Sequence, residues 1–571
     1  MKKILGYFRY YIKESILGPL FKLFEATLEL IVPLIIAAII DKGISAGDRP
    51  YTVRACLILV LLGAVGLAFS VTAQYFAAKA AVGCTTRLRH TLFSHIQTFS
   101  HTELDTLGTP TVITRLTSDT NQVQSGINLT LRLLLRSPFV VFGAMIMAFT
   151  IDFDSAITFV YTIPALSIVV FGIMLISIPL YKKVQSRLDT VTRITRDNLS
   201  GVRVIRAFSK EDDEIRQFRE ASGTLSAAQN GVGRISALLN PLTYIIINLA
   251  IIVLIDVGAL KVDGGLLSQG EVVALYNYMS QILVELIKLA NLIVSITKAI
   301  SSAGRISDVL DIESSIKGGE RTEGAGDVAI EFKDVSLTYK GSNEPSLSGI
   351  SFTVLRGETL GIIGGTGSGK STLINLIPRF YDATEGEVRI FGVDAREYDV
   401  EALRKMIRVV PQRAALFEGT IRENMLWGKP DADEEEILGA LRAAQADKIV
   451  SDKGGLDARV ELDADNFSGG QKQRLTVARA IVTKPEILIL DDSSSALDYK
   501  TDADMRREVR AFCPDSTVVI VSQRTSSIMH ADRIIVLDDG ECVGIGTHGE
   551  LLSSSAVYRE IYESQFGEVA E

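Results

Sequence analysis

Cysteine is scarce in this chain. Four stand among 571 residues, Cys56, Cys84, Cys513 and Cys542, with no C-x-x-C pair and no metal-ligand spacing. They exclude a disulfide framework and a thiolate metal centre, and they read as free thiols. An excess of positive charge is also missing. Lys and Arg number 59 against 68 Asp and Glu, a net charge of −9, which argues against a nucleic-acid partner. The opening stretch Met1 to Tyr11 is aromatic and has no small-residue cleavage site behind it. That excludes a signal peptide and suits an interfacial entry helix on the cytoplasmic face.

Apolar surface, by contrast, is abundant. Apolar residues make up 47% of the chain and the mean hydropathy is +0.26, too apolar for a wholly soluble protein. The excess lies before about residue 300, in six segments near 16–40, 55–80, 133–152, 156–180, 240–260 and 271–298. Each is close to the ~20 residues that cross a ~30 Å hydrocarbon core. One or two buried soluble helices could imitate such segments; six could not.

Spacing between the segments predicts their arrangement. The second and fourth gaps hold about 50 to 60 residues and the other three about 3 to 14. The long gaps carry Arg87, Arg89, Arg115 and Arg132, and Lys182, Lys183, Arg187, Arg193, Arg196, Arg203 and Arg206, while the short third-to-fourth turn carries Asp152 and Asp154. By the positive-inside rule the long gaps and both termini are cytoplasmic, against a weaker counter-signal from Lys42, Arg49 and Arg54. Few Pro or Gly interrupt the long gaps. Helices should therefore run on through them, each gap forming a hairpin that projects about 30–40 Å beyond the bilayer at ~1.5 Å per residue.

After about residue 305 the pattern changes. Residues 306–327, with the polar, glycine-rich run Ile316 to Gly326, read as a linker between a six-helix membrane domain (1–305) and an α/β domain (328–571). In the latter, strand-like runs such as Val328 to Phe332 alternate with helical ones. The expected fold class is thus an α-helical transmembrane domain with long cytoplasmic extensions, fused to an α/β phosphate-loop domain.

The most specific motif is Gly364-Gly365-Thr366-Gly367-Ser368-Gly369-Lys370-Ser371, a full G-x-x-x-x-G-K-S/T phosphate loop. It follows the apolar run Thr359 to Ile363 and precedes the helical Thr372 to Leu376. Strand, glycine loop and helix N-terminus let backbone N–H groups ring a triphosphate, with Lys370 reaching the outer phosphates and Ser371 holding Mg²⁺. Tyr339, about 25 residues upstream, is placed to stack on adenine. Gln412, in Val409-Val410-Pro411-Gln412, offers an amide oxygen to Mg²⁺ or water. Ser468-Gly469-Gly470-Gln471 opens an amphipathic helix whose positive end suits a phosphate. The apolar strand Ile487 to Leu490 ends in Asp491, placed for the Mg²⁺ shell, and Asp492; Ser495-Ala496-Leu497-Asp498 follows, and Gln523 ends another strand.

In this order the elements resemble the ATP-binding cassette exporters, and the resemblance covers nearly the whole chain. Gly201-Val202-Arg203-Val204-Ile205-Arg206-Ala207-Phe208, with Lys210, Glu211 and Phe218, is similar to the second cytoplasmic hairpin of such exporters, and Gly108 to Asp119 to the coupling region of the first. The resemblance implies a dimer with two ATP molecules between facing cassettes. Each would touch Tyr339, Gly364 to Thr372 and Gln412 of one chain and, in trans, Ser468, Gly469, Gly470, Gln471 and Asp498 of the other, with Ser371, Gln412 and Asp491 around Mg²⁺.

Two departures bear on catalysis. Asp492 stands where the family usually has Glu, and Gln523 where it has a switch His. Aspartate is one methylene shorter, about 1.5 Å, and misplacement on that scale costs on the order of 10²-fold in rate. Glutamine cannot carry the proton or charge available to imidazole. With an intact Ser468-Gly469-Gly470-Gln471, this pattern predicts a heterodimer: a second half-transporter supplies Glu and His to a competent site, while this chain's own site is degenerate. Val460 to Asn466 also lacks the usual glycine-bearing run.

The membrane part says less. Glu25 and Glu29 stand four apart in the first segment, and Glu285 and Lys288 three apart in the sixth; charges at this depth face a cavity or pair with one another. The sequence predicts an ATP-driven exporter subunit in a bacterial inner membrane, contacting lipid and moving amphipathic small molecules, lipids or peptides. A slow homodimeric exporter and an ATP-gated channel or regulatory subunit are the alternatives.

Overall fold

The computed structural model describes residues 6–493 and 497–566. It divides into two units, one of Met1–Gln97 and Pro110–Ile312, the other of Thr98–Thr109 and Glu313–Glu571.

The first unit holds six helical spans long and apolar enough to cross a membrane: Tyr7–Ile44, Arg49–Ile96, Thr109–Ile151, Phe153–Ser200, Glu211–Asp263 and Gln269–Leu310. All six apolar segments read from the sequence fall inside them. The second span is a single 48-residue helix, about 70 Å long at ~1.5 Å per residue, so helices do continue through the long gaps. Connections at the opposite ends are short and ionic. Asp41 accepts from Ser268 Oγ (2.5 Å) and Gly270 N (2.8 Å), and Lys261 Nζ reaches Asp152 and Asp154 at 2.7 Å each. The unit's core mixes small and large side chains, among them Ala26, Ala144, Phe159, Leu275, Tyr278 and Ile282. Small residues let helices approach where lipid offers no hydrophobic drive. Between the fourth and fifth spans the chain turns through the short helix Val202–Ala207.

The second unit has a central sheet in the strand order Glu541–Gly546, Arg533–Asp538, Thr359–Gly364, Thr517–Val521, Ile487–Asp491, Ile407–Val410. All pairs are parallel except the antiparallel edge hairpin. Strand Ile487–Asp491 is buried along its first four residues, as a continuous apolar run in a parallel sheet must be. A four-stranded antiparallel sheet, Leu347–Leu355, Val328–Leu337, Glu385–Ile390, Val393–Asp394, packs with it around Ile330, Phe332, Ile362, Ile489, Val519 and Leu537. Helices Glu434–Ala443 and Gly469–Ile481 build a further core with Met425, Leu441, Phe467 and Leu475.

Two organisational expectations change. Residues 306–310 belong to the last membrane helix rather than to a linker. The glycine-rich run that follows is held along the second unit: Gly319 N donates to Tyr398 O (2.8 Å), Arg321 N to Glu397 O (3.0 Å) and Gly326 N to Phe391 O (3.0 Å). Its backbone groups find fixed partners, so it is not a free tether.

The coupling region expected at Gly108 to Asp119 is also displaced. The segment that groups with the second unit is Thr98–Thr109, carrying the helix His101–Leu107. A reciprocal cap of Ser100 and Glu103 opens this helix, Glu103 also accepts from Ser315 N (3.2 Å), His101 stacks on Phe380 with centroids 4.6 Å apart, and Tyr381 OH donates to Asp105 (2.5 Å). Gly108, in the left-handed region at φ 73°, ends the helix, and residues from Pro110 onward belong to the third span's unit.

Candidate functional site

Backbone geometry brings the site together at the carboxyl ends of the parallel strands, the usual ligand position in such sheets. Thr359–Gly364 ends against its neighbour so closely that a Cβ on Gly364 would collide with the Leu537 carbonyl. The chain then turns through Gly367 and Gly369, both left-handed (φ 87° and 92°), before the helix Lys370–Leu376. Lys370 Nζ donates to the carbonyls of Gly364 (3.0 Å) and Gly365 (2.5 Å). Burial lowers its pKa below the usual lysine value, while Asp492 and Asp491 pull the other way.

Oxygen ligands converge beside the loop. Ser371 Oγ donates to Asp491 Oδ2 at 3.4 Å, and Gln412 Nε2 donates to Asp492 Oδ2 at 3.2 Å. Burial raises the pKa of Asp491 and its neighbour Asp492 adds to the rise, opposed by the Ser371 bond. Burial likewise raises Asp492, against the pull of Gln412, Arg524 and Lys370. Asp492 sits in the left-handed region (φ 42°), its N–H donating to Val521 O at 3.0 Å. A non-glycine residue in that conformation stores strain and marks a constrained position. Hydroxyl, amide and carboxylate oxygens are the donors Mg²⁺ takes when most of its shell is phosphate and water.

These groups line one pocket of about 440 Å³ with Thr366, Gly367, Gly369, Thr372 and Gln523, within the range of small-molecule sites. The loop residues Ser342, Glu344, Pro345 and Ser346 and the turn Asp539-Gly540 complete the wall. Sequence reading missed them, because they carry no motif. Tyr339 is not among the lining residues. Its hydroxyl donates to Thr372 Oγ1 (3.1 Å) and its ring meets Tyr381 edge-on at 5.1 Å. Gly364 and Gly365 contribute carbonyls to Lys370, and Ser368 is buried within the loop.

Gln523 is positioned through its backbone by a residue that sequence reading overlooked. Gln565, near the end of the helix Ala556–Phe566, donates through Nε2 to Gln523 O (2.8 Å) and accepts from Thr525 N (2.9 Å). One amide thus closes both sides of the turn.

Ser468, Gly469, Gly470 and Gln471 do not join this pocket. Ser468 caps the helix Gly469–Ile481 reciprocally: its N–H donates to Gln471 Oε1 (2.9 Å) and its hydroxyl accepts from Gln471 N (3.4 Å). Asp498 caps the helix Tyr499–Phe512, and the hydrogen bond from Thr501 lowers its pKa. Ser495 and Ala496 lie outside the described residues. Just upstream of Ser468, Asp463 and Ala464 are both left-handed (φ 54° each) without a glycine to ease the turn. Lys472 Nζ on the Asp463 carbonyl (2.7 Å) and Asn466 Nδ2 on Arg459 O (2.8 Å) hold it.

In the membrane unit the charges singled out from sequence find partners. Lys288 Nζ donates to Glu285 Oε1 (2.8 Å), but Arg136 joins them, donating to Glu285 Oε1 (2.7 Å) and Glu29 Oε2 (2.6 Å), and Ser137 Oγ reaches Glu285 Oε2 (2.9 Å). Glu25 accepts from Lys22 at 2.5 Å. Glu285 and Lys288 are therefore not a self-contained helix pair. Arg136, near the start of its apolar segment, was not singled out from the sequence.

The chain carries the marks of an ATP-driven membrane transporter, and comparison with known proteins agrees. Residues 15–286 match the family model of the ABC transporter transmembrane region and residues 347–495 the family model described as ABC transporter. An uncharacterized ABC transporter ATP-binding protein of Mycobacterium tuberculosis is 38% identical over 94% of this chain and 93% of its own length. The uncharacterized ABC transporter ATP-binding protein YfiB of Bacillus subtilis is 35% identical over 99% of both chains. The structure of a bacterial Atm1-family ABC exporter with ATP bound superposes with a TM-score of 0.79 at 24% identity, covering 99% of each chain, a likeness of fold.

The chain belongs to the ABC transporter family. It is an integral membrane protein with the fold of an ABC exporter, its membrane region fused to a cytoplasmic ATP-binding domain whose ATP hydrolysis drives transport.

Proposed function

We propose that this chain is one half of a heterodimeric exporter in a bacterial inner membrane. Its own phosphate loop binds Mg·ATP at a site of low turnover, with Ser371, Gln412 and Asp491 as the magnesium oxygens. Its Ser468-Gly469-Gly470-Gln471 segment and Asp498 complete a competent site on a partner chain that carries Glu and His. The cargo is an amphipathic small molecule, lipid or peptide.

The observation that carries this reading is the state of Asp492. Its carboxylate is one methylene short of the family's Glu, is tied to Gln412, and is held on a strained backbone that fixes where it points. A shortened carboxylate on a flexible loop can reach forward to a water; on this backbone it has little freedom to do so. Across the pocket Gln523 offers an amide in place of a titratable imidazole. The signature segment keeps all four family residues and a regular cap. A defect confined to one face is neutral in a heterodimer that uses the other face, whereas a homodimer would inherit it twice.

Purifying the chain alone and together with its partner tests the proposal. Alone it should bind ATP yet hydrolyse it far below a typical turnover of about 1 s⁻¹ or more, and with the partner turnover should rise into that range. Brisk hydrolysis by a verified homodimer would overturn it.

A further inference from the structure

Lys22, Glu25, Glu29, Arg136, Glu285 and Lys288 are six ionisable groups of the first, third and sixth membrane spans. Glu29, Arg136 and Glu285 each stand about 15 residues from the outer ends of their spans, Ile44, Ile151 and Gln269, about 22 Å at ~1.5 Å per residue. They therefore share one level, inside a ~30 Å hydrocarbon core. Arg136 links three spans by binding Glu29 of the first and Glu285 of the sixth. The Arg136 and Glu285 side chains are only 7% and 3% exposed, as befits a lock between helices.

The two ends of the chain of contacts differ from its middle. The Glu29 side chain is 38% exposed and that of Lys288 42%. A lock needs no charge at the surface of the unit, and charges at membrane depth face protein or a water-filled cavity rather than lipid. Glu29 spends one carboxylate oxygen on Arg136 and Lys288 one of its three donors on Glu285, so each retains capacity for another partner. Among the described residues, two buried polar atoms nearby also have no hydrogen-bond partner: Arg136 Nε, and Oε1 of Gln281, which lies one helical turn before Glu285 on the same face. With three basic and three acidic members the cluster has no net charge, so long-range attraction favours neither a cation nor an anion.

We propose that Glu29 and Lys288 form the polar end of the cargo site, and that the cargo is a zwitterionic amphiphile. Its cationic group meets Glu29, its anionic group meets Lys288, and the Arg136–Glu285 pair holds the two recognition groups apart. This deepens the exporter reading and rests on it. A zwitterion pairs both charges at once, whereas an amphiphile of either single sign leaves one of the two without its match. The chemistry is shared by zwitterionic lipid headgroups and by peptides with free termini.

The test is binding to the complete two-chain exporter in phosphatidylglycerol nanodiscs, with radiolabelled lysophosphatidylcholine as probe. The competitors are a hydrophobic dipeptide, tetraphenylphosphonium and octyl phosphate. Both zwitterions should bind at concentrations at least about tenfold below either competitor of a single sign of charge, the scale of one charged hydrogen bond. The tighter of the two identifies lipid or peptide as the source. Glu29→Gln should erase the preference over octyl phosphate, Lys288→Met the preference over tetraphenylphosphonium, and Lys288→Arg should retain binding. Absence of probe binding, equal displacement of the wild type by a competitor of a single sign of charge, or unchanged preferences in both variants would overturn the proposal. Binding is read without hydrolysis, so an ATPase assay on the same nanodiscs reports separately on the exporter reading.

Discussion

At the phosphate-loop face of the nucleotide-binding unit, Ser371 holds Asp491 and Gln412 holds Asp492 through side-chain bonds, while Lys370 grips the loop's own carbonyls, so that three segments of chain meet. At the signature face, Ser468 and Gln471 complete each other within a single helical turn. The first arrangement is sensitive to the length of every side chain, because each must span a gap set by the sheet. The second depends on a local cap that any Ser-x-x-Gln at a helix start can form. A one-methylene change at position 492 can therefore disable one face without disturbing the other. That separation permits a division of labour between two sites.

The largest expected effect comes from attacking the intact face. In the assembled exporter Ser468→Arg removes the cap hydroxyl and puts a cation and bulk at the helix start. Steady-state ATPase should fall by at least about 10²-fold, the scale of a lost transition-state donor; if most activity remains, the two faces have been assigned the wrong way round. Repairing the other face should act in the opposite sense. Asp492→Glu with Gln523→His is expected to raise hydrolysis at this chain's site by on the order of tenfold or more, and by more than the two single changes combined, since groups acting as a unit are non-additive. Strict additivity, read from single-turnover rates in a background where the partner's site is silenced, would break the pairing of Asp492 with Gln523.

Lys370→Ala sharpens the comparison at smaller amplitude. ATP affinity at this face should weaken while total hydrolysis by the pair falls only about two- to threefold, checked by nucleotide binding and phosphate release on one sample. A collapse of hydrolysis to the level of Ser468→Arg would again reverse the assignment.

The smallest effect is one of pH and lies outside both faces. Burial, with Arg404 nearby, lowers the pKa of His101 against the opposing pull of Asp105. Stability that depends on neutral His101 is full above its unfolded value of about 6.5 and is lost as the pH falls through the folded value. His101→Phe keeps a ring on Phe380 but cannot titrate. Its melting temperature should therefore drop less than that of the wild type between about pH 7.5 and 5.5; equal slopes would remove His101 from the account.

Legibility followed sequence distance. The phosphate loop, the Asp491 strand and the capped signature helix are short motifs whose chemistry depends on neighbours in the chain, and the structure places each on the element its flanks implied. The six spans were legible because hydropathy is a local sum. What escaped notice were residues defined by a partner far along the chain. Arg136 shows only as an arginine beside an apolar run until Glu29 and Glu285 meet it. Gln565 shows only as a polar residue near the end of a helix until its amide reaches Gln523 and Thr525.

Sequence alone determined the class of this protein: its membrane character, its phosphate loop, and the two side chains that depart from the family at positions 492 and 523. Those properties are written in composition, periodicity and contiguous motifs, which survive without knowledge of the fold. Tertiary structure alone decided which charges touch and which are exposed, that Thr98–Thr109 rather than the residues after Gly108 joins the nucleotide-binding unit, and that Tyr339 spends its hydroxyl on Thr372. The physical reason is that electrostatic and hydrogen-bond energies fall off within a few ångströms, whereas the partners concerned are separated by 33 to 149 positions in the chain.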